Sequence, residues 1–269
     1  MEDKSHCRIC GKLKEKKHIK YVNIDVYIEC ECERKLREEK EQADYEYAKE
    51  TAIRLRNINS RLSNLGQKAS FKTAKVDKYN EVAVRGGKYL LNQLLKQGGT
   101  ESKNSLVLQG NRGSGKTYIA CAIINDFNER YPVHEAYINQ ILEERKNLCY
   151  EKYFSPVKSP CKFITEMDLY VLFYEDYNYC KTESLLDEMK KAEKLLVIDD
   201  VGASNYDKNR LQTMYLNIID YRYSQGLPLM LTTNLTKAEL SDYIGDRCFD
   251  RLRSCSYFVD IVSPESRRG

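Results

Sequence analysis

The sequence predicts an α/β fold with a central parallel five-stranded sheet, preceded by a small cysteine-bearing module and a helical connection. Three observations carry this prediction. From residue 105 onward, five short apolar runs alternate with helix-length segments, the pattern of parallel strands buried on both faces. The octamer GNRGSGKT at 110–117 stands between the first of those runs and a helical segment. Four of the ten cysteines fall within the first 32 residues, as Cys7-x-x-Cys10 and Cys30-x-Cys32.

Composition narrows the class. Hydrophobic residues make up 42% and charged residues 31%, with a mean hydropathy of −0.63. That profile is too apolar for a disordered chain and too polar for a membrane protein. No stretch reaches the roughly 18 apolar residues that span a bilayer, and MEDKSHCRICGK has no apolar core of a secretory signal. A cytoplasmic setting is expected, either bacterial or in an infected host cell. Net charge is only +4, and residues 1–20, with seven Lys/Arg and three Asp/Glu, hold an equal local excess. Any DNA contact must then rest on a few placed side chains and amides rather than on a basic surface.

In chain order, the cysteine module occupies 1–35. Residues 33–56 (ERKLREEKEQADYEYAKETAIRLR) lack Gly and Pro and intermix charges three or four apart, which predicts a solvated helix. Residues 57–72 are more polar and contain Gly66, reading as a linker, so that 36–68 joins the module to a domain over 69–269. An amphipathic run, VRGGKYLLNQLLKQ, precedes the break at Gly98-Gly99. The predicted strands are SLVLQ (105–109), CKFIT (161–165), LLVID (195–199), LMLTT (229–233) and YFVDIV (257–262). Between the helix after the octamer and CKFIT, residues 134–160 form a charged insertion ending in Tyr and Phe, read as loop variation or as a partner contact.

The octamer is a phosphate-binding loop in the context it requires, after a buried strand and before a helix. Gly110, Asn111, Arg112, Gly113, Ser114 and Gly115 let backbone N–H groups turn inward around phosphates. Lys116 reaches the β and γ oxygens, and the Thr117 hydroxyl is placed for Mg²⁺. LLVIDDVG at 195–202 sets Asp199 beside the metal at a strand's carboxyl end, with Asp200 suited to orient or deprotonate a water. The strand ending Thr233-Asn234 lies near both if the strands are neighbours. GDRCFDRLR and the terminal SRRG bring five arginines, one of which could meet γ-phosphate charge in cis or in trans; composition does not choose among them.

Cys7, Cys10, Cys30 and Cys32 present two thiolate knuckles that suit one structural zinc ion, with His6 and His18 as substitutes for one sulfur. A segment of this size has too little apolar material to fold without a staple. The other six cysteines are scattered singly and read as buried small hydrophobes.

Taken together and in this order, these motifs resemble the DnaC/DnaI-type bacterial and phage helicase loaders and their IstB-type transposition relatives, all AAA+ ATPases. The resemblance covers about 70–268, and the N-terminal module more loosely. It implies an AAA+ P-loop fold without a C-terminal lid, Asp200 where many relatives carry Glu, and Asn234 as the first sensor. It also implies Arg251 of GDRCFDRLR as an arginine finger acting on a neighbouring subunit, and Arg268 as the second sensor. The implied cofactors are ATP, Mg²⁺ and Zn²⁺. Implied partners are a hexameric replicative helicase, single-stranded DNA and further copies of the chain, joined through ATP-bridged interfaces, with no membrane. The compact build leans towards a phage or mobile element. The implied activity is ATP-dependent helicase loading with slow, DNA-stimulated turnover; the alternative is an IstB-type helper that assembles on DNA and recruits a transposase. A small-molecule kinase would share the octamer but not the Asp-Asp strand, the Thr-Asn strand and the arginine box.

Overall fold

The computed structural model describes residues 5–96, 103–146, 157–174, 182–203, 205–263 and 266. Two short strands, β1 (Lys16–Ile19) and β2 (Ile24–Tyr27), and a long helix, α1 (Glu31–Asn59), come first. Next are α2 (Glu81–Leu95), β3 (Ser105–Gly110), α3 (Lys116–Arg130) and α4 (Glu135–Lys146). These lead to β4 (Cys161–Thr165), α5 (Glu166–Tyr174), α6 (Thr182–Lys190) and β5 (Leu195–Val201). Last are α7 (Lys208–Ser224), β6 (Leu229–Thr233), α8 (Lys237–Ile244), α9 (Asp246–Cys255) and β7 (Ser256–Ile261). Among the described residues, no helix is long and apolar enough to cross a membrane.

The chain divides into two compact units, Met1–Ala52 with Val133–Tyr153, and Ile53–Pro132 with Phe154–Gly269. In the first, β1 and β2 form an antiparallel hairpin beside the four cysteines. The exposed face of α1 is laced by ion pairs one turn apart, Glu31–Lys35, Arg34–Glu38 and Arg37–Glu41, each adding a few tenths of a kcal/mol to a solvated helix (about 0.2–0.5). Ala48 and Ala52 are fully buried, as are Ile138 and Ile141 of α4. Tyr45 donates to Glu135 and Arg145 pairs with Asp44, its guanidinium over the Tyr47 ring. Residues 134–146 of the inserted segment thus belong to the same unit as the cysteines, whereas its end, 157–160, belongs to the second.

In the second unit all five strands run parallel in the order β4-β5-β6-β3-β7. Each apolar run becomes a strand because its successive side chains enter different cores. Leu106 and Leu108 join Ile119, Ile123 and Phe127 on one face; Val107 joins Leu211, Met214 and Ile218 on the other. Alternation between the two faces is therefore invisible as alternation in polarity. Cys121, Cys161 and Cys248 are buried thiols, and burial pushes Cys121 up to about 12 and Cys248 up to about 11. Cys149 and Cys180 lie outside the described residues.

Residues 57–72, which read as a linker, are instead packed against this sheet. Leu62 and Ala69 belong to the core. Phe163 N donates to Ser60 O across 2.9 Å, and Asn125 Nδ2 donates to Gly66 O and Ala69 O at 2.8 and 2.7 Å. Asp126 accepts from Ser70 Oγ and Phe71 N. Arg56, at the end of α1, donates to the carbonyls of Tyr131 and Pro132. The segment is polar because its polar groups meet backbone carbonyls and side chains far away in sequence, satisfying groups that would otherwise be buried unpaired.

Candidate functional site

Strand order puts the three predicted strand ends side by side, with β6 hydrogen-bonded to both β3 and β5. Their carboxyl ends open on a cavity of about 790 Å³ lined by Arg112, Gly113, Lys116, Thr117, Asp200 and Asn234 among others. This is where open α/β sheets hold ligands.

The loop turns as its glycines permit. Gly113 and Gly115 have φ of 76° and 97°, a region costly for any residue with a Cβ, and α3 starts at Lys116 immediately after. Gly110, with φ of 149°, is required for a different reason: a side chain there would run into the Ile261 carbonyl of β7. Lys116 Nζ donates to Gly110 O (2.8 Å), Asn111 O (2.9 Å) and Asn234 Oδ1 (2.9 Å). The lysine and the amide at the end of β6 are thus in direct contact.

Thr117 Oγ1 lies 3.1 and 3.0 Å from the two oxygens of Asp199. Thr232, which the sequence reading passed over, donates to Asp199 Oδ1 at 2.5 Å, and its own oxygen accepts the Asp200 N–H at 3.0 Å. Asp199 is buried, and that burial raises its carboxyl above the usual range against the bonds from Thr232 and Thr117. A hydroxyl and a carboxylate this close are hard oxygen donors of the kind that Mg²⁺ takes, in a set left incomplete for waters and phosphate. Asp200 has φ of 58°, so the backbone reverses at the residue expected to meet the water.

Asn111 makes a contact that no motif foretold. Its Nδ2 donates to Ser263 O (2.5 Å) and its Oδ1 accepts from Ser263 N (3.2 Å), tying the segment after β7 to the phosphate loop. Ser266 sits where a Gly113 side chain would be. Arg268, the expected second sensor, lies outside the described residues.

Arg251 is not among the residues lining the cavity. It projects from α9 and forms an ion pair with Asp220 of α7, which also holds Arg247 at 3.0 Å. The sequence reading missed Asp220, four residues before the end of α7.

Cys7, Cys10, Cys30 and Cys32 have all four sulfurs within 4.8 Å of one another, with Cys10–Cys30 at 3.7 Å and Cys30–Cys32 at 3.5 Å. Four sulfurs on a tetrahedral zinc at about 2.3 Å would stand about 3.8 Å apart, so the set fits. Ile9 N and Cys10 N both point at Cys7 Sγ at 3.4 Å. The Lys12 N–H and the neighbouring thiols pull Cys10 down to about 7, whereas Cys10 and Cys30 push Cys32 up to about 12. His6 and His18 are engaged elsewhere, with Ser5 and Asp25.

No family model matches the chain. It is similar to the protein YqaM of Bacillus subtilis (strain 168), 27% identical over 171 residues that cover 60% of this chain and 44% of that relative. The chain therefore spans less than half the length of the curated relative that it matches. Among solved structures it is similar to DnaI, with a TM-score of 0.56 and 19% identity over 74% of this chain and 94% of that one. It is likewise similar to the DnaC helicase loader, with a TM-score of 0.52 and 18% identity over 74% and 99%. At such identities the likeness is one of architecture: the chain carries the α/β fold of those DnaI and DnaC structures.

Proposed function

We propose that the chain is an ATP-dependent loader that delivers a replicative helicase onto single-stranded DNA, with ATP binding and hydrolysis as its assembly and release switch. The observation that carries this reading is the meeting of Lys116, Thr117, Asp200 and Asn234 at one cavity, with Asp199 bonded to Thr117 behind its wall, while Arg251 stands apart from it on α9. A small-molecule kinase with a phosphorylated acceptor needs the clustered arginines facing the same cavity as the loop. A finger acting across subunits needs them elsewhere.

In this reading the loop's N–H groups and the start of α3 hold the phosphates of ATP, and Lys116 exchanges its carbonyl partners for phosphate oxygens. Thr117 and Asp199 hold Mg²⁺, which when bound neutralises charge on the transferred phosphoryl group. Asn234 orients the attacking water and Asp200 accepts its proton. Arg251 of a neighbouring subunit and Arg268 meet the charge that develops on the γ-phosphate. Cys7, Cys10, Cys30 and Cys32 hold a structural zinc, and the apolar residues exposed around them, Leu13, Tyr21, Val22 and Ile24, form the face offered to the helicase.

The test is binding of the full chain to the host's hexameric replicative helicase, with ATP and with ADP, followed by single-molecule or gel assay of helicase transfer to single-stranded DNA. A stable complex that releases the helicase after hydrolysis is expected. A chain that ignored the helicase but bound a transposase would place it with the transposition helpers instead.

A further inference from the structure

Glu166, the first residue of α5, is 1% exposed, and it is not among the residues lining the cavity. Its Oε1 accepts from Tyr215 OH at 2.5 Å and its Oε2 from Tyr243 OH at 3.0 Å. The Gly202 N–H is shared between the two oxygens at 3.2 and 3.1 Å. One buried carboxylate thus joins α7, α8 and the turn that follows β5. Burial and the adjacent Glu166 charge hold both phenols above their ordinary range, so they remain donors.

Taking a carboxylate out of water is costly, and one persists only where several donors compensate it. A pin between helices would need the tyrosines alone. The bond to Gly202 is the informative one, because Gly202 lies two residues past Asp200. Asp200 has φ of 58°, unfavourable for a residue with a Cβ, and such a backbone persists when its surroundings over-determine it. Three anchors do so here. Asp200 N donates to Thr232 Oγ1 at 3.0 Å, Thr233 Oγ1 donates to Val201 O at 2.7 Å, and Gly202 N donates to Glu166. The first two come from β6. The third comes from the opposite neighbour of β5, at the end of β4.

We propose that Glu166 is a positioning residue for ATP hydrolysis: by fixing the Gly202 amide it holds the turn that keeps Asp200 at the cavity. The inference rests on the ATPase reading above. Asp200 does not hold the nucleotide in that reading, so loosening the turn lowers turnover without weakening ATP binding.

Glu166→Gln in the full chain keeps the side chain's shape and removes its charge and one acceptor. Tyr243→Phe, which removes one donor without opening a cavity, is the second variant. For Glu166→Gln the expected result is a kcat at least about ten-fold lower, a KM for ATP within about two-fold of wild type, and Gly202 amide exchange at least about ten-fold faster. Tyr243→Phe should lower kcat and speed Gly202 exchange by smaller factors with KM again unmoved, and decides the matter if Glu166→Gln does not fold. An unchanged kcat, or a fall in kcat matched by a rise in KM, overturns the proposal. If the wild-type chain bound ATP without hydrolysing it, the ATPase reading would fail separately. Gly202 exchange would then still decide whether Glu166 holds the turn, an unchanged rate counting against it.

Discussion

The carboxylate of Asp220 on α7 is bonded to Arg251 and to Arg247 of α9, and the Arg251 guanidinium lies 5.8 Å from the centre of the Tyr223 ring. The side chain proposed to complete a neighbour's site is held within its own subunit by one charge and one aromatic face. It is therefore held against α7 at a fixed place rather than left to search.

Arg251→Ala is expected to lower steady-state ATP turnover of the assembled protein by about 10³-fold or more, while leaving the ATP affinity of each subunit within a factor of about two. Mixing Arg251→Ala subunits with Lys116→Ala subunits supplies the check, because only a finger acting in trans restores turnover at the mixed interfaces. Mixtures as inactive as either parent would refute the assignment.

Asp199 gives a prediction with a definite sign in pH. Its carboxyl is raised above the ordinary range, chiefly by burial. The folded protein binds this proton more readily than the unfolded chain does, so the ionised group costs stability once the pH rises from the ordinary carboxylate value through the raised one. Asp199→Asn is expected to melt at a higher temperature than wild type at pH 7, the gain closing as the pH falls to about 4. It should also abolish Mg²⁺-dependent turnover. A variant that melts lower than wild type at pH 7 would contradict the first half.

At Gly110 the backbone conformation and the Ile261 carbonyl both exclude a side chain. Gly110→Ala should cost on the order of 1–3 kcal/mol from the backbone conformation alone, and the clash with β7 adds to that. A fall in Tm of roughly 5–10 °C is expected. Gly226→Ala, where φ is also positive but nothing lies within 4 Å, serves as the comparison and should cost less.

Metal analysis of the full chain should return one zinc per subunit. Chelation, or Cys10→Ser, is expected to speed hydrogen exchange across residues 5–35 and to leave residues 105–110 and 195–201 protected, since small zinc modules fold only with their metal. Retained protection of 5–35 without zinc would sink the metal assignment.

The sheet was legible because four of its strands, β3 to β6, are buried on both faces. CKFIT and LMLTT coincide with β4 and β6, and the other three runs end within two residues of their strands. The phosphate loop was legible because its chemistry demands a fixed spacing. What stayed hidden depends on partners distant in sequence. Arg56 looks like the end of a solvated helix and Ser60 like a linker residue until Tyr131, Pro132 and Phe163 are seen to meet them. Glu166 reads as an ordinary acid in the first turn of a helix, and nothing in its neighbourhood announces the two tyrosines 49 and 77 residues later. That α4 belongs to the first unit could not be read from composition, because it offers only a short apolar stripe around Ile138 and Ile141.

The clasp between Asn111 and Ser263 is lopsided. Asn111 contributes its side chain, while Ser263 contributes only main-chain N–H and C=O. The clasp itself asks of residue 263 only a main-chain N–H, which proline lacks, whereas at 111 little besides an amide offers a donor and an acceptor at that reach. Ser263 is nevertheless buried, so what limits it is room for its side chain. Saturation mutagenesis would find 111 strict about chemistry, and 263 tolerant of small residues but not of large ones or proline.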